Sequence, residues 1–275
     1  MNQFYQAIGI TKQAVHKYAK KQIVHDERIS NLMVQADKLR AMHPGCGVEK
    51  MYYSLRPDFL GRDRFITEFM SLGYRLNRKK NYRRTTIGSV IYKPNLIKGM
   101  FVNAPSIIWQ SDITYIPVGD KHYYAVFIID VYTKEIVGYA LSDHMRASAN
   151  IQALKMALGK RQSPIIHHSD RGSQFISKAY TGLLESKGTK ISMALTAQEN
   201  AYAERINRTI KEEYLDYRWI RTFSQLKAAL TKAVYHYNNF RPHSNLNKLS
   251  PIIFIQTWER TKPELRPKFT IFDNE

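Results

Sequence analysis

Three carboxylates occupy positions from which they could act together on a phosphate group. Asp112 lies in "WQSDITYI", Asp170 follows an apolar run in "HHSDRGSQF", and Glu204 lies in "ENAYAERINRTIKEEY". Carboxylate oxygens are the ligands that Mg²⁺ prefers, and Mg²⁺ shares its coordination shell with phosphates and water. Two such ions about 3.5 to 4 Å apart can activate an attacking oxygen and stabilise a leaving oxygen. These residue types are therefore compatible with a two-ion site for phosphoryl transfer.

The elements that must position these carboxylates form an α/β pattern. Segments rich in β-branched and aromatic residues predict strands at 107–118, 122–131, 135–142, 164–168 and 189–195. Helical patterns predict helices at about 147–158, 177–187 and 223–239, and a long helix that starts near Gln198. This order indicates a mixed sheet flanked by helices. If the first and fourth strands are neighbours, Asp112 and Asp170 lie at the same end of the sheet.

The helix that carries Glu204 has two faces of different polarity. Its predicted buried stripe, with one residue every four, consists of Tyr202, Ile206, Ile210 and Tyr214. At ~100° per residue, Glu204, Arg208 and Lys211 lie about 200° away from that stripe. The two cations could grip backbone phosphates beside a metal site. A solvated surface acid has the same pattern, so the case for a site depends on the combination of three carboxylates.

The first third of the chain is predicted to be helical. Residues 1–25 contain a short apolar helix, a break at Gly9 and a second helix that begins at Thr11, a pattern typical of a helix-turn-helix and also of ordinary helical hairpins. Residues 26–88 contain three amphipathic stripes and are predicted to form a helical DNA-binding domain. Residues 89–104 are predicted to form a linker, because the stretch "YKPNLIKGMFVNAPS" contains two Pro, two Asn and one Gly. The α/β core is then expected over residues 105–255, with a tail over residues 256–275.

The charge of the chain favours a polyanionic partner. The sequence has 42 Lys and Arg against 23 Asp and Glu, and residues 1–99 hold 19 of the basic and 7 of the acidic residues. No acid occurs from Phe69 to Ser111. Within that interval "RLNRKKNYRR" supplies the candidate DNA contacts Arg75, Arg78, Lys79, Lys80, Arg83 and Arg84. Such a segment favours nucleic acid over a solvated basic face or a membrane-surface patch.

Several other classes of protein are disfavoured. No apolar run approaches the ~20 residues of a membrane-spanning helix, and no signal-peptide segment is recognisable, so we expect no membrane partner. Cys46 is the single cysteine, which excludes an intrachain disulfide and weakens any zinc site; we interpret it as structural. Neither glycine-rich nucleotide-binding motif occurs, so no nucleotide cofactor is expected.

Four motifs in fixed order carry a family resemblance. They are "WQSDITYI", "HHSDRGSQF", "NAYAERINRTIKEEYL" and "YNNFRPHSNLNKLSP". Together they resemble the catalytic core of the insertion-sequence transposases of the IS-three family, the OrfB product, within the retroviral-integrase superfamily and its Asp-Asp-Glu triad. The resemblance covers about residues 95–255. Residues 28–85 also resemble the small helical domain that precedes this core in such proteins.

The resemblance implies a specific site and activity. Asp112, Asp170 and Glu204 are implied to be the catalytic and metal-binding triad, and Lys211 the basic residue that follows it, with Arg208 beside it. A ribonuclease-H-like core would cleave the ends of an insertion element and join the freed 3′ hydroxyl to another phosphodiester. Two Mg²⁺ ions, or Mn²⁺ in their place, would serve as cofactors. The implied partners are terminal inverted repeats, target DNA and further copies of the chain, in the cytoplasm at the nucleoid of a bacterial cell.

One interval departs from the family pattern. Only 33 residues separate Asp170 from Glu204, slightly fewer than is usual for the family. Glu199 is the nearest rival acid, but it lies upstream of the "NAYAER" block, which favours Glu204 as the third acid.

Three rival functions remain. A nuclease or Holliday-junction resolvase could use the same triad, although it needs no separate end-recognition domain. A DNA-binding regulator, including a domesticated transposase that no longer cuts, would not need the triad. A retroviral-type integrase would require paired His and Cys ligands for zinc, which a single cysteine cannot supply.

Overall fold

The structure, a computed structural model, describes residues 11–76 and 93–271 of the 275-residue chain. The described residues divide into two compact units. One contains residues 11–42 and 46–75, and the other contains residues 43–45, 76 and 93–271. Within the described ranges, no helix has both the length and the apolar character needed to cross a membrane.

The first unit consists of three helices: α1 (Lys12–Met42), α2 (Val48–Leu55) and α3 (Arg62–Ser71). Its core is formed by residues that recur at helical spacing, including Leu32, Ala36, Leu39, Met51, Phe65 and Phe69. Cys46 is fully buried in the same core, which supports its structural interpretation. Met70 in the last turn of α3 and Leu72 directly after the helix are both exposed.

Helix α1 is longer than the sequence patterns predicted. Thr11 caps it as expected, since the backbone N–H of Ala14 donates to Thr11 Oγ1 at 3.1 Å. The helix then continues to Met42, so the boundary placed between residues 25 and 26 falls inside it. No Gly or Pro occurs between Thr11 and His43 to interrupt helix propagation. The predicted first helix and the Gly9 break lie outside the described residues, and the helix-turn-helix stays a prediction.

The second unit is built on a mixed five-stranded sheet, as predicted. Its strands are β2 (Ile108–Val118), β3 (Lys121–Asp130), β4 (Ile136–Ser142), β5 (Ile166–Ser169) and β6 (Lys190–Met193). They lie in the order β4-β3-β2-β5-β6. The first three strands are antiparallel, whereas β5 runs parallel to both β2 and β6. The first and fourth predicted strands are therefore neighbours.

Helices cover both faces of this sheet. They are α4 (Ala147–Lys160), α5 (Lys178–Glu185), α6 (Ala201–Ile210) and α7 (Phe223–Asn239), followed by α8 (Pro251–Arg260). Consecutive residues of a strand point to opposite faces. Phe127 accordingly packs with α6 and α7, while Ile128 packs with α4 and α5. The result is a three-layer α/β unit of the predicted class.

The predicted linker and tail are partly ordered structure. Strand β1 (Phe101–Val102) pairs antiparallel with β7 (Phe269–Thr270), and helix α8 extends past residue 255. Ile97 and Val102 are fully buried beside Ile271. The prediction of a linker is wrong for these residues because the burial of their apolar side chains outweighs the surrounding Pro, Asn and Gly. Residues 89–92 of the predicted linker lie outside the described residues.

Helix α4 packs tightly against strand β4 at Gly138. A Cβ atom built at Gly138 would lie 2.2 Å from the backbone oxygen of Ala153 and 2.9 Å from Ala157 Cβ. We expect Gly138→Ala to lower the free energy of unfolding by about 3 kcal/mol, because helix and strand must separate. Urea denaturation followed by circular dichroism measures this change.

Gly159 supplies the matched control for that substitution. It lies in α4, and no atom lies within 4 Å of a Cβ built there. Gly159→Ala should therefore stabilise the protein by up to about 1 kcal/mol through helix propensity. Equal effects of the two substitutions would show that close packing at Gly138 is unimportant.

Candidate active site

The parallel pairing of β2 and β5 brings two of the three carboxylates together. In the register of these strands Ser111 pairs with Ser169. Asp112 and Asp170 are therefore the next residues along the two neighbouring backbone segments. Asp170 is the first residue beyond the end of β5, where the backbone N–H of Gly172 donates to its Oδ1 at 3.0 Å. The predicted convergence of the two aspartates at one end of the sheet is thus observed.

Helix α6 presents Glu204 as the sequence periodicity predicts. Ile206 and Ile210 are buried against the sheet, and Tyr202 is partly buried. Glu204 and Arg208 are exposed on the opposite side, and Lys211 is half-buried at the start of a single π-helical turn (Lys211–Leu215). Glu204 lies in the first turn of α6, close to the point where the helix meets β2.

Asp112 is held in an environment that opposes its ionisation. Burial, together with the charges of Asp170 and Glu204, raises the pKa of Asp112 to about 8. Two hydrogen bonds oppose the rise, from the backbone N–H of Ile113 at 2.9 Å and from the Asn207 amide at 2.7 Å. The three carboxylates therefore lie near enough for their charges to act on one another.

The other two acids show the same effect to a smaller extent. Burial raises the pKa of Asp170, and the Gly172 N–H lowers it. Burial also raises the pKa of Glu204, while the charge of Arg208 lowers it and that of Asp170 raises it. Arg208 is thus near enough to Glu204, four residues before it in α6, for their charges to interact.

The chemistry of this donor set fits a hard divalent cation. Carboxylate oxygens are suitable ligands for Mg²⁺, and a cation would relieve the repulsion that raises the pKa of Asp112. Among residues 11–76 and 93–271, no three His, Cys, Asp or Glu side chains are gathered closely enough to hold a metal ion as they stand. Ligation by all three acids would therefore require movement of side chains or of the start of α6.

Glu199 is directed away from this cluster. Its carboxylate accepts the backbone N–H of Leu195 at 2.5 Å. Burial raises the pKa of Glu199, but hydrogen bonds from Leu195 and Asn95 outweigh it, so the pKa is lowered overall. A carboxylate used in this way is a poor candidate for the third acid.

The paired histidines before Asp170 are neutral and buried. Burial lowers the pKa of His167 to about 3 and that of His168 to about 4. His167 Nε2 lies 3.0 Å from the hydroxyl of Tyr180, and His168 Nδ1 lies 2.8 Å from Ser192 Oγ. These contacts favour the interpretation that the pair shapes the end of β5.

Asn207 is a site residue that the sequence patterns did not single out. Its side-chain amide donates to Asp112 Oδ2 at 2.7 Å. At ~100° per residue Asn207 lies about 60° from Glu204 around the helix, between the exposed face and the buried stripe. A polar residue at that boundary, one turn after the third acid, is the signal that could have identified it.

The candidate DNA contacts are only partly described. Arg208 and Lys211 lie on the helix that carries Glu204, and Arg75 is exposed in the first unit. The remaining candidates, Arg78, Lys79, Lys80, Arg83 and Arg84, lie outside the described residues.

Comparisons with known proteins agree on one kind of core. Two family models, both described as an integrase core domain, match residues 102–198 and 188–251. An uncharacterized 31 kDa protein of insertion element IS600 from Shigella sonnei is 34% identical over 209 residues, which cover 73% of this chain and 77% of that protein. The transposase InsF of insertion sequence IS3A from Escherichia coli strain K12 is 27% identical over 220 residues, 78% of this chain and 73% of that protein.

A solved structure gives a weaker match. The catalytic core domain of HTLV-2 integrase, in complex with magnesium in its dimeric form, has a TM-score of 0.44 and 22% identity. The match covers 51% of this chain and 92% of that chain.

The pKa of Asp112 predicts how the metal-free protein responds to pH. The folded protein keeps a proton on Asp112 up to about pH 8, whereas the unfolded chain releases it near the ordinary value of 3.8. The stability contributed by this group is therefore complete below the unfolded pKa and is lost as pH rises through the folded pKa. In EDTA, Asp112→Asn should gain at least about 3 °C in Tm relative to the unsubstituted protein between pH 5 and pH 8.

Asp143→Asn is the control for this measurement, because the Asp143 side chain is 74% exposed. Thermal melts of the three proteins across the pH range should show a pH-dependent difference for Asp112→Asn only. A Tm difference that stays constant with pH would mean that Asp112 ionises normally in the folded protein.

Proposed function

Because the chain belongs to the insertion-sequence transposases of the IS-three family, within the retroviral-integrase superfamily, we propose that it cuts DNA at the ends of its own element and joins the freed 3′ hydroxyl to another phosphodiester. Such transposases are polynucleotidyl transferases. The observation that carries the proposal for this chain is the placement of Asp112, Asp170 and Glu204. Their charges act on one another at the end of a sheet that matches an integrase core.

The three acids are proposed to hold the metal ions of the reaction. Asp112, Asp170 and Glu204 would bind two Mg²⁺, for which Mn²⁺ could substitute. When bound, such ions activate the attacking oxygen and stabilise the leaving oxygen. Asn207 orients Asp112 through Oδ2, and the Gly172 N–H orients Asp170 through Oδ1. These hydrogen bonds limit rotation of the two carboxylates, so less freedom is lost when a cation is bound.

Cations near the acids and in the first unit are proposed to bind the DNA backbone. Arg208 and Lys211 follow Glu204 along α6 and would contact phosphates next to the reacting bond. Arg75 and the basic segment after it would contribute further phosphate contacts. Terminal inverted repeats and target DNA are the proposed ligands, bound by more than one copy of the chain.

Removal of any one acid tests this mechanism. We expect Asp112→Ala, Asp170→Ala and Glu204→Ala each to abolish strand cleavage and joining, by at least about 100-fold, because the ligands act on the transition state. Binding to element-end DNA in EDTA should change little. Both quantities can be measured on the same labelled oligonucleotides, by gel analysis of products and by fluorescence anisotropy.

The rival acid supplies the control. Glu199→Gln keeps an oxygen that can accept the N–H of Leu195, so it should retain cleavage and joining. Loss of activity in Glu199→Gln together with normal activity in Glu204→Ala would transfer the third role to Glu199. Near-normal joining by any alanine variant would remove that residue from the triad.

A phosphate contact at Lys211 predicts a change in salt dependence. We expect Lys211→Ala to weaken binding of all DNA sequences about equally. The slope of log K against log salt concentration should fall by about one unit, because one counterion fewer is released. Titrations at several salt concentrations with element-end and unrelated duplexes measure both effects.

Lys190→Ala serves as the comparison for Lys211→Ala. Lys190 is exposed, and it pairs with Ile166 at the start of the parallel strand β5, away from Asp170 at its other end. Its removal should leave the slope unchanged. If both lysine variants gave the unsubstituted slope, Lys211 would be a solvated surface residue.

A further inference from the structure

The start of helix α6 lacks a cap from its own N-cap residue. The first N–H groups of a helix have no partner within it, and an Asn at the N-cap commonly accepts one of them. Asn200 occupies that position, but its side chain makes no bond to the helix. Instead Gln110 of β2 supplies the acceptor: its Oε1 receives the backbone N–H of Tyr202 at 3.2 Å and of Ala203 at 3.4 Å.

The side chain of Asn200 acts as a hydrogen-bond donor to β2 and not as an acceptor for the helix. Its side-chain Nδ2 donates to the backbone oxygen of Ser111 in β2 at 3.0 Å. The Gln110 Nε2 group donates to the backbone oxygen of Glu199 at 3.5 Å. Gln110 and Asn200 are both buried, so these bonds are shielded from water. We call this pair of side chains the amide clamp.

The amide clamp joins the two elements that carry the first and third acids. Gln110 lies two residues before Asp112, on the same face of β2. The N–H groups it receives belong to the two residues immediately before Glu204. Any movement of the start of α6 away from β2 would therefore change the separation of Glu204 from Asp112 and break these bonds at the same time.

From this placement we propose that Gln110 and Asn200 are positioning residues of the transposase, which hold Glu204 in register with Asp112 so that both can bind the same metal ions. The inference rests on the proposed roles of these two acids. The amide clamp fixes the distance between the start of α6 and β2 with hydrogen bonds between uncharged groups, so it adds no cation that would compete with the metal.

Metal affinity tests this inference independently of catalysis. Gln110→Met keeps the volume of the side chain and removes its acceptor, and Asn200→Ala removes the donor to Ser111. We expect each variant to bind Mn²⁺ at least about tenfold more weakly. The affinity is obtained from the concentration of free Mn²⁺, which electron paramagnetic resonance measures. Single-turnover cleavage should fall about 10- to 100-fold at a fixed Mn²⁺ concentration and recover in part at high Mn²⁺. The affinity for DNA in EDTA should stay within about twofold of that of the unsubstituted protein, because the amide clamp contacts none of the residues proposed to bind DNA.

Asn238 provides a matched control. It is also a buried amide that joins a helix to a strand: its Oδ1 receives the N–H of Ile136, and its Nδ2 donates to the oxygen of Ile136, both at 2.9 Å. Asn238→Ala should lower the thermal stability as the clamp variants do and leave the Mn²⁺ affinity unchanged. Equal loss of Mn²⁺ affinity in Asn238→Ala would overturn the proposal, because general loosening would then explain the effect.

The remaining outcomes also decide the matter. Folded clamp variants with unaltered Mn²⁺ affinity would overturn the positioning role while leaving the proposed function intact. If Gln110→Met does not fold, Asn200→Ala is judged alone by the same criteria. A last outcome is that the unsubstituted protein neither binds Mn²⁺ nor cleaves element-end DNA, and so gives the same result as Asp112→Ala. In that case the proposed function fails, and the inference fails with it.

Discussion

The cost of ionising closely placed carboxylates is the constraint that the α/β unit has to accommodate. Asp112 is half-buried, and desolvation together with the charges of two other acids raises its pKa to about 8, so the uncharged form is favoured until a cation is supplied. Backbone pairing between β2 and β5 ends at Ser111 and Ser169, so Asp112 and Asp170 each follow directly after a paired residue of neighbouring strands. Glu204 is on a separate helix and depends on side-chain contacts for its placement. The third acid is therefore the one whose position is most easily changed.

Helix α6 is also held at its far end. Glu213 lies in the π-helical turn that continues α6 and forms a bidentate ion pair with Arg241. Both N–O distances of this pair are 2.8 Å. In the same region the Tyr214 hydroxyl lies 3.0 Å from His236 Nδ1. Arg241 belongs to "YNNFRPHSNLNKLSP", a motif that supplies none of the three acids. Its buried guanidinium gives that motif a physical role, because a paired ionic contact resists sliding of the helix along the sheet.

Features that depend on periodicity within one helix or strand could be predicted from the sequence. Features that depend on how two elements pack together could not. The β-branched and aromatic composition of residues 107–118 predicted strand β2, and the four-residue repeat through Ile206 and Ile210 predicted the buried face of α6. Asn207, Gln110 and Asn200 were missed because their partners lie on another element. Which amide meets which backbone group depends on the relative position of α6 and β2, and no local pattern encodes it.

Other differences have similar causes. Two apolar stripes predicted two helices with a boundary near residue 25. The structure has one continuous helix there, because no helix-breaking residue separates the stripes. The linker was assigned from its turn-forming residues, while Ile97 and Val102 within it are fully buried. Composition averaged over a window hides a few well-placed apolar side chains, and these decide whether such a segment packs.

The pairing of β1 with β7 ties an early segment of the second unit to its last described residues. Phe101 pairs with Thr270 through the backbone, and Ile97 and Val102 are buried beside Ile271. Detachment of β7 would therefore expose apolar side chains that precede the five-stranded sheet, so the two segments are expected to unfold together.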